Sequence, residues 1–158
     1  MIDEVKDQIN IEDEEINVVD IRRKSLDLLA RREHSRLELS RKLHKKFSEY
    51  NMIEGVLDKL ELDGLLSDDR FTEEYLNYRK NKGFGPTKIS AELRDRGIDD
   101  SLISKYVDTK AQDWFVKAKK VKQKKFGLQK PIDLKERIRQ QNFLIYRGFH
   151  QDHISYLF

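Results

Sequence analysis

The sequence contains no cysteine, which excludes a disulfide framework, a thiolate nucleophile and any Cys-ligated zinc or iron–sulfur centre. It also lacks any apolar run near the roughly 18 residues needed to cross a bilayer. The opening "MIDEVKDQIN" is acidic where a secretory leader would be basic and then apolar. No stretch alternates apolar and polar residues long enough to predict a strand, and no Ser-His-Asp or Lys-activated arrangement has a motif context. These absences point to a soluble, cytoplasmic protein without a membrane contact, in which no catalytic site and no cofactor site is read.

What is present is charge. Of 158 residues, 39% are charged and 37% hydrophobic, with a mean hydropathy of -0.80, a balance rich in solvated helix faces. The net charge of +3 hides an asymmetry: residues 1–20 carry eight acids and one base, net -7, which leaves +10 on the rest. A body this basic suggests a polyanion or an acidic protein surface as partner, and the acidic segment reads as a separate tail.

Apolar spacing is helical from residue 18 onward. Leu39, Leu43 and Phe47 are four apart; Ile53, Val56, Leu57 and Leu60 form a helical stripe, as do Phe71, Tyr75 and Tyr78, and Leu102, Ile103, Tyr106 and Val107. Ser35 with Glu38 and Asp133 with Glu136 have the spacing of capping boxes, and Gly64, Gly97 and Gly148 stand where a left-handed residue ends a helix. The stretch "NKGFGPTKIS" concentrates two glycines and a proline. A Walker loop would need a different order after a buried strand, whereas Pro86 suits the first position of a helix with Gly85 as its N-cap. It is read as a helix joint.

With the joints placed, a repeat emerges. "LRDRGIDDSLISKYV" from Leu93 aligns without gaps on "LIYRGFHQDHISYLF" from Leu144, and "LELSRKL" matches "ISAEL" at a similar offset. The expected organisation is an acidic segment, 1–20, followed by three-helix repeats at 21–66, 67–110 and 111–158, each too small to fold alone.

Three stretches, "LLARREHSRLELSRKL", "DGLLSDDRFTEEYLNYRKNKGFGPTKISAELRDRGI" and "FLIYRGF", resemble in order and spacing the signatures of the RecX family, bacterial regulators of the RecA recombinase. The resemblance runs from about residue 22 to the C-terminus. It implies an all-α fold of three tandem three-helix repeats in an elongated, curved array. It also implies a protein that is not an enzyme but binds the RecA filament on single-stranded DNA and inhibits its ATPase, strand-exchange and co-protease activities, modulating recombination, DNA repair and the SOS response; the chain is expected to be a monomer. The acidic segment matches none of the signatures, and the end at Phe158 reads as a truncation relative to members with further segments. A stand-alone nucleic-acid-binding protein acting without RecA is the other reading.

Candidate RecA- or DNA-binding residues fall into two groups. Lys117, Lys120 and Lys124 share one face of the acid-free "WFVKAKKVKQKKF", while Trp114, Ala118 and Val121 share another. Arg70, Arg79, Lys82 and Lys88 flank the joint, with Phe84 as its exposed aromatic; Tyr75, Tyr78 and Trp114 are expected in the core. Intramolecular pairing of the second group with Asp68, Asp69, Glu73 or Glu74 is the competing reading. Arg96 and Arg147, each directly before a helix-ending glycine, are expected to cap helix ends. His150 and His153 lack a third ligand and are not read as a metal site; Asp152 is expected as an N-cap.

Overall fold

The structure, a computed structural model, describes residues 17–158, so the acidic tail expected at 1–20 lies almost wholly outside the described residues. Among those residues the chain forms nine helices and no strand: α1 (17–29), α2 (Arg36–His44), α3 (Tyr50–Leu62), α4 (Asp68–Asn81), α5 (Pro86–Asp95), α6 (Asp100–Tyr106), α7 (Gln112–Phe126), α8 (Leu134–Arg147) and α9 (Gln151–Ser155). The all-α expectation holds. Two compact units divide the chain between Phe71 and Thr72, within α4.

In the first unit the expected stripes close on one another: Leu39 and Leu43 of α2 pack with Ile53, Val56, Leu57 and Leu60 of α3, joined by Ile21 and Leu66. Ser35 starts α2 by accepting the Glu38 N–H at 3.1 Å. Arg36 then ties α2 to α3 through Glu54, Asp58 and Glu61, all within 2.8 Å. Burial works against its charge, but the three carboxylates more than offset this and raise its pKa.

In the second unit Ile89, Leu93, Ile103, Trp114, Leu144 and Ile154 are buried. Trp114 Nε1–H donates to the Asp108 carbonyl at 2.9 Å, satisfying the one polar atom of a core side chain. Gly64, Gly97 and Gly148 take φ of 73°, 80° and 89° after α3, α5 and α8, as their placement predicted. Two expectations are overturned. Tyr78, placed in the core by spacing, is 56% exposed, because Leu76 turns inward on this stretch of α4 instead. The N-cap of α9 is His150, not Asp152: its ring accepts the Asp152 N–H, while His153 Nδ1 accepts the His150 N–H at 3.1 Å.

Candidate functional site

The joint between α4 and α5 docks on the C-terminal end of α8 through backbone. The Gly85 N–H donates to the Arg147 carbonyl at 2.8 Å and the Thr87 N–H to the Gly148 carbonyl at 3.0 Å. The Arg147 guanidinium returns a hydrogen bond to the Lys82 carbonyl at 3.2 Å. Two chains approach this closely only without side chains: a Cβ on Gly85 would lie 2.4 Å from the Gly148 oxygen. Gly85 caps α5 and Pro86 occupies its first turn, as expected.

This docking sets the end of α4 beside α7. A cleft of about 330 Å³ opens there, walled by Lys82, Lys117, Lys120, Lys124, Lys125 and Arg147. Asn81, Gly83, Val121 and Phe143 complete its lining, and none of its residues is acidic. Among the described residues no ion pair engages the five lysines. Six cations around one recess repel one another, and an anion with several charges relieves that repulsion. Val121, expected on a different face from the lysines, lines the cleft with them: its Cγ2 lies 3.2 Å from where a Gly83 Cβ would be.

The other candidates lie elsewhere. Arg79 is held by Glu92 of α5 in a two-pronged pair at 2.6 and 2.7 Å, with both side chains under a fifth exposed. Tyr75 donates to the same carboxylate, and burial with that bond pushes its pKa up to about 12. Arg70 pairs with Glu33 at 2.8 Å. Phe84, expected to be exposed, is half-buried beneath three cations: Arg79, Arg147 and Lys88 lie 3.7, 4.9 and 5.1 Å from its ring centre. Their positive charge seeks the electron-rich face of the ring and covers it. Lys88 also lies 4.4 Å from the ring of Tyr146.

Arg96 caps as expected, donating to the Glu92 carbonyl in the last turn of α5 at 2.8 Å. Arg147 reaches past its own helix to the end of α4. Sequence reasoning missed Lys125 and Arg147 as members of the basic cleft; the acid-free lysine run contained a signal for the first, while the second depends on the α8 docking. No described helix is long and apolar enough to cross a membrane.

Comparison with known proteins agrees with this architecture. The descriptions "RecX, first three-helix domain", "RecX, second three-helix domain" and "RecX, third three-helix domain" match residues 22–60, 67–107 and 111–158. A regulatory protein RecX of Pseudomonas entomophila is 43% identical over 139 residues, spanning 88% of this chain and 90% of the relative. One of Pseudomonas fluorescens is 44% identical over 140 residues, spanning 89% and 90%. In fold, the crystal structure of RecX from Lactobacillus salivarius superposes with a TM-score of 0.75 at 19% identity, covering 89% of this chain and 94% of that one. A second crystal structure, of a regulatory protein RecX, gives 0.81 at 21% identity, covering 96% and 76%. With the family descriptions matched across most of its length and relatives above 40% identity, the chain belongs to the RecX family of regulatory proteins.

Proposed function

We propose that the chain is a non-enzymatic, cytoplasmic regulator that binds the RecA filament on single-stranded DNA and lowers its ATPase, strand-exchange and co-protease activities. Family membership supports the regulatory role, and the acid-free cleft of six cations is the observation that carries the contact with a polyanion. Inhibition requires tighter binding to a filament state that turns over ATP poorly than to the active one, since equal affinity shifts nothing. Repeats with boundaries near residues 66 and 110 would let one chain engage more than one protomer. In this reading Lys82, Lys117, Lys120 and Lys124 face the ligand, with Lys88 at the margin, while Arg70, Arg79 and Phe84 hold the scaffold.

The test replaces Lys117, Lys120 and Lys124 together with Gln, which keeps helix propensity and leaves Trp114 and Ala118 untouched. The slope of log affinity against log salt on single-stranded DNA should flatten by about 2, roughly 0.7 per lysine, and inhibition of RecA ATP hydrolysis should weaken. Arg79→Gln serves as the contrasting variant: it should lower thermal stability and leave the slope unchanged. A folded triple variant that inhibits RecA normally with an unaltered slope would remove the cleft from the contact. Equal affinity for bare and RecA-coated single strands would instead favour a nucleic-acid-binding protein acting without RecA, a reading the same cleft accommodates.

A further inference from the structure

The link from α7 into α8 exposes large apolar side chains that the cleft does not use. Leu128, Ile132 and Leu134 are 82%, 89% and 71% exposed, and Ile138 and Ile145 continue along α8 at 46% and 53%. At the angular step of an α-helix, Leu134, Ile138 and Ile145 fall within about 40° of one another, so they form one stripe. Gln140 and Leu144 of the same helix turn into the core, and Phe143 and Arg147 face the basic cleft on the other side. Gln141 separates Ile138 from Ile145 on this face; single exposed apolar residues are ordinary, whereas several aligned on one helix face mark a contact surface.

The stripe begins at a recess of about 390 Å³ that Leu134 shares with Pro131, Phe158 and the cations Lys122, Lys130 and Arg137. Lys122 Nζ donates to the Leu157 carbonyl at 3.4 Å and lies 4.2 Å from the Phe158 ring centre, and burial lowers the pKa of its amine, so this cation lacks part of its water. A carboxylate entering the recess would replace the missing solvation. One acid, Asp133, stands in the wall, where it accepts the Glu136 N–H at 2.7 Å as N-cap of α8.

We infer that this face of α8 docks an acidic segment of a partner protein, with its apolar side chains on the Leu134, Ile138 and Ile145 stripe and its carboxylates toward Lys122, Lys130 and Arg137. Charge decides between occupants. A second copy meeting this face about a two-fold axis would bring the same cations together, which opposes association. An anionic lipid surface would have to accept Asp133 in the wall of the recess. A peptide can place its carboxylates around this acid. The inference goes beyond the proposed function by giving the protein contact a surface separate from the polyanion cleft.

The experiment titrates the full chain with a synthetic amphipathic peptide of Glu, Asp and Leu, against a scrambled control of equal composition. Leu134, Ile138 and Ile145 are then replaced together by Gln; all three are solvent-facing, so circular dichroism should be unchanged. The amphipathic peptide should bind better than its control, and the triple variant should bind it at least about tenfold more weakly. Its affinity for a bare single-stranded oligonucleotide should not change. Arg137→Glu should weaken the peptide and reduce its salt dependence. No preference over the scrambled control, or an unaltered affinity in the triple variant, would overturn the inference. So would stripe-dependent binding to phosphatidylglycerol vesicles in place of peptide, or a dimer in sedimentation that the variant abolishes. RecA filaments are the parallel probe: failure of the unaltered chain to bind them would defeat the proposed function while leaving the peptide titration to decide the docking face.

Discussion

At the scale of single residues, long-range contacts decide roles that local sequence leaves open. His34 and His44 lie in similarly charged surroundings, yet His34 is 1% exposed while His44 stacks in solvent on Tyr50. The His34 Nδ1–H donates to the Arg32 carbonyl at 3.1 Å, and Nε2 lies 2.9 Å from Lys42 Nζ, from which it accepts a hydrogen bond. Burial lowers its pKa, and the positive charges of Arg32 and Lys42 add to that against the opposing Arg32 carbonyl and Glu38. The unfolded ring titrates near 6.5 and the folded one lower, so between those values the unfolded chain binds more protons. This contribution is therefore complete above the unfolded value and is lost as pH falls toward the folded one. The thermal midpoint of the first unit should drop on acidification from about pH 7.5 to about pH 5.5. His34→Asn should be less stable at neutral pH but flatter over that range; an equally steep profile would assign the acid sensitivity elsewhere. Arg79 teaches the same lesson. Its sequence neighbours offer four acids, but its partner is Glu92, thirteen residues on and across the joint.

At the scale of elements, much was legible. Helix starts at Ser35, Gly85 and Asp133 and stops at Gly64, Gly97 and Gly148 follow from local backbone chemistry, which acts within a few residues. Tyr78 was misplaced because periodicity identifies a stripe without fixing where its edge meets solvent. The role of Gly85 was half visible: its φ of -91° suits any residue, so the demand for glycine comes from Gly148, in a distant helix end. That distinction is measurable. Gly64→Ala meets open space at a φ of 73° and should cost only the left-handed penalty, about 1–2 kcal/mol. Gly85→Ala should exceed it, at about 3 kcal/mol, because its methyl group would strike backbone and break the bond to the Arg147 carbonyl. Chemical denaturation of both variants gives the order. The reverse order would mean that the joint yields and that the approach of Lys82 to α7 does not depend on it.

At the scale of the whole molecule, folding rather than sequence concentrates the charge. Residues 67–158 hold twenty basic and thirteen acidic side chains, net +7, and residues 21–66, half as long, hold eleven and eight, net +3, nearly the same per residue. All six cations of the cleft lie in the second compact unit. Their meeting was the least legible feature of the sequence, since Lys82 and Lys117 are brought together by contacts between distant residues: the docking of the α5 start on the α8 end, and the pairing of Lys80 at the end of α4 with Asp113 of α7. A fragment beginning at residue 67 would retain Ser67, whose hydroxyl accepts the Arg70 N–H at 3.2 Å at the start of α4, together with the core around Leu93, Trp114 and Leu144. It should fold, as helical circular dichroism and a cooperative thermal transition would show. If the cleft supplies the phosphate contacts, the fragment should bind single-stranded DNA with the same salt slope as residues 21–158, because the slope counts neutralised phosphates rather than total charge. A folded fragment with a slope shallower by about 1 or more would place at least one phosphate contact in the first unit and require a second basic surface there.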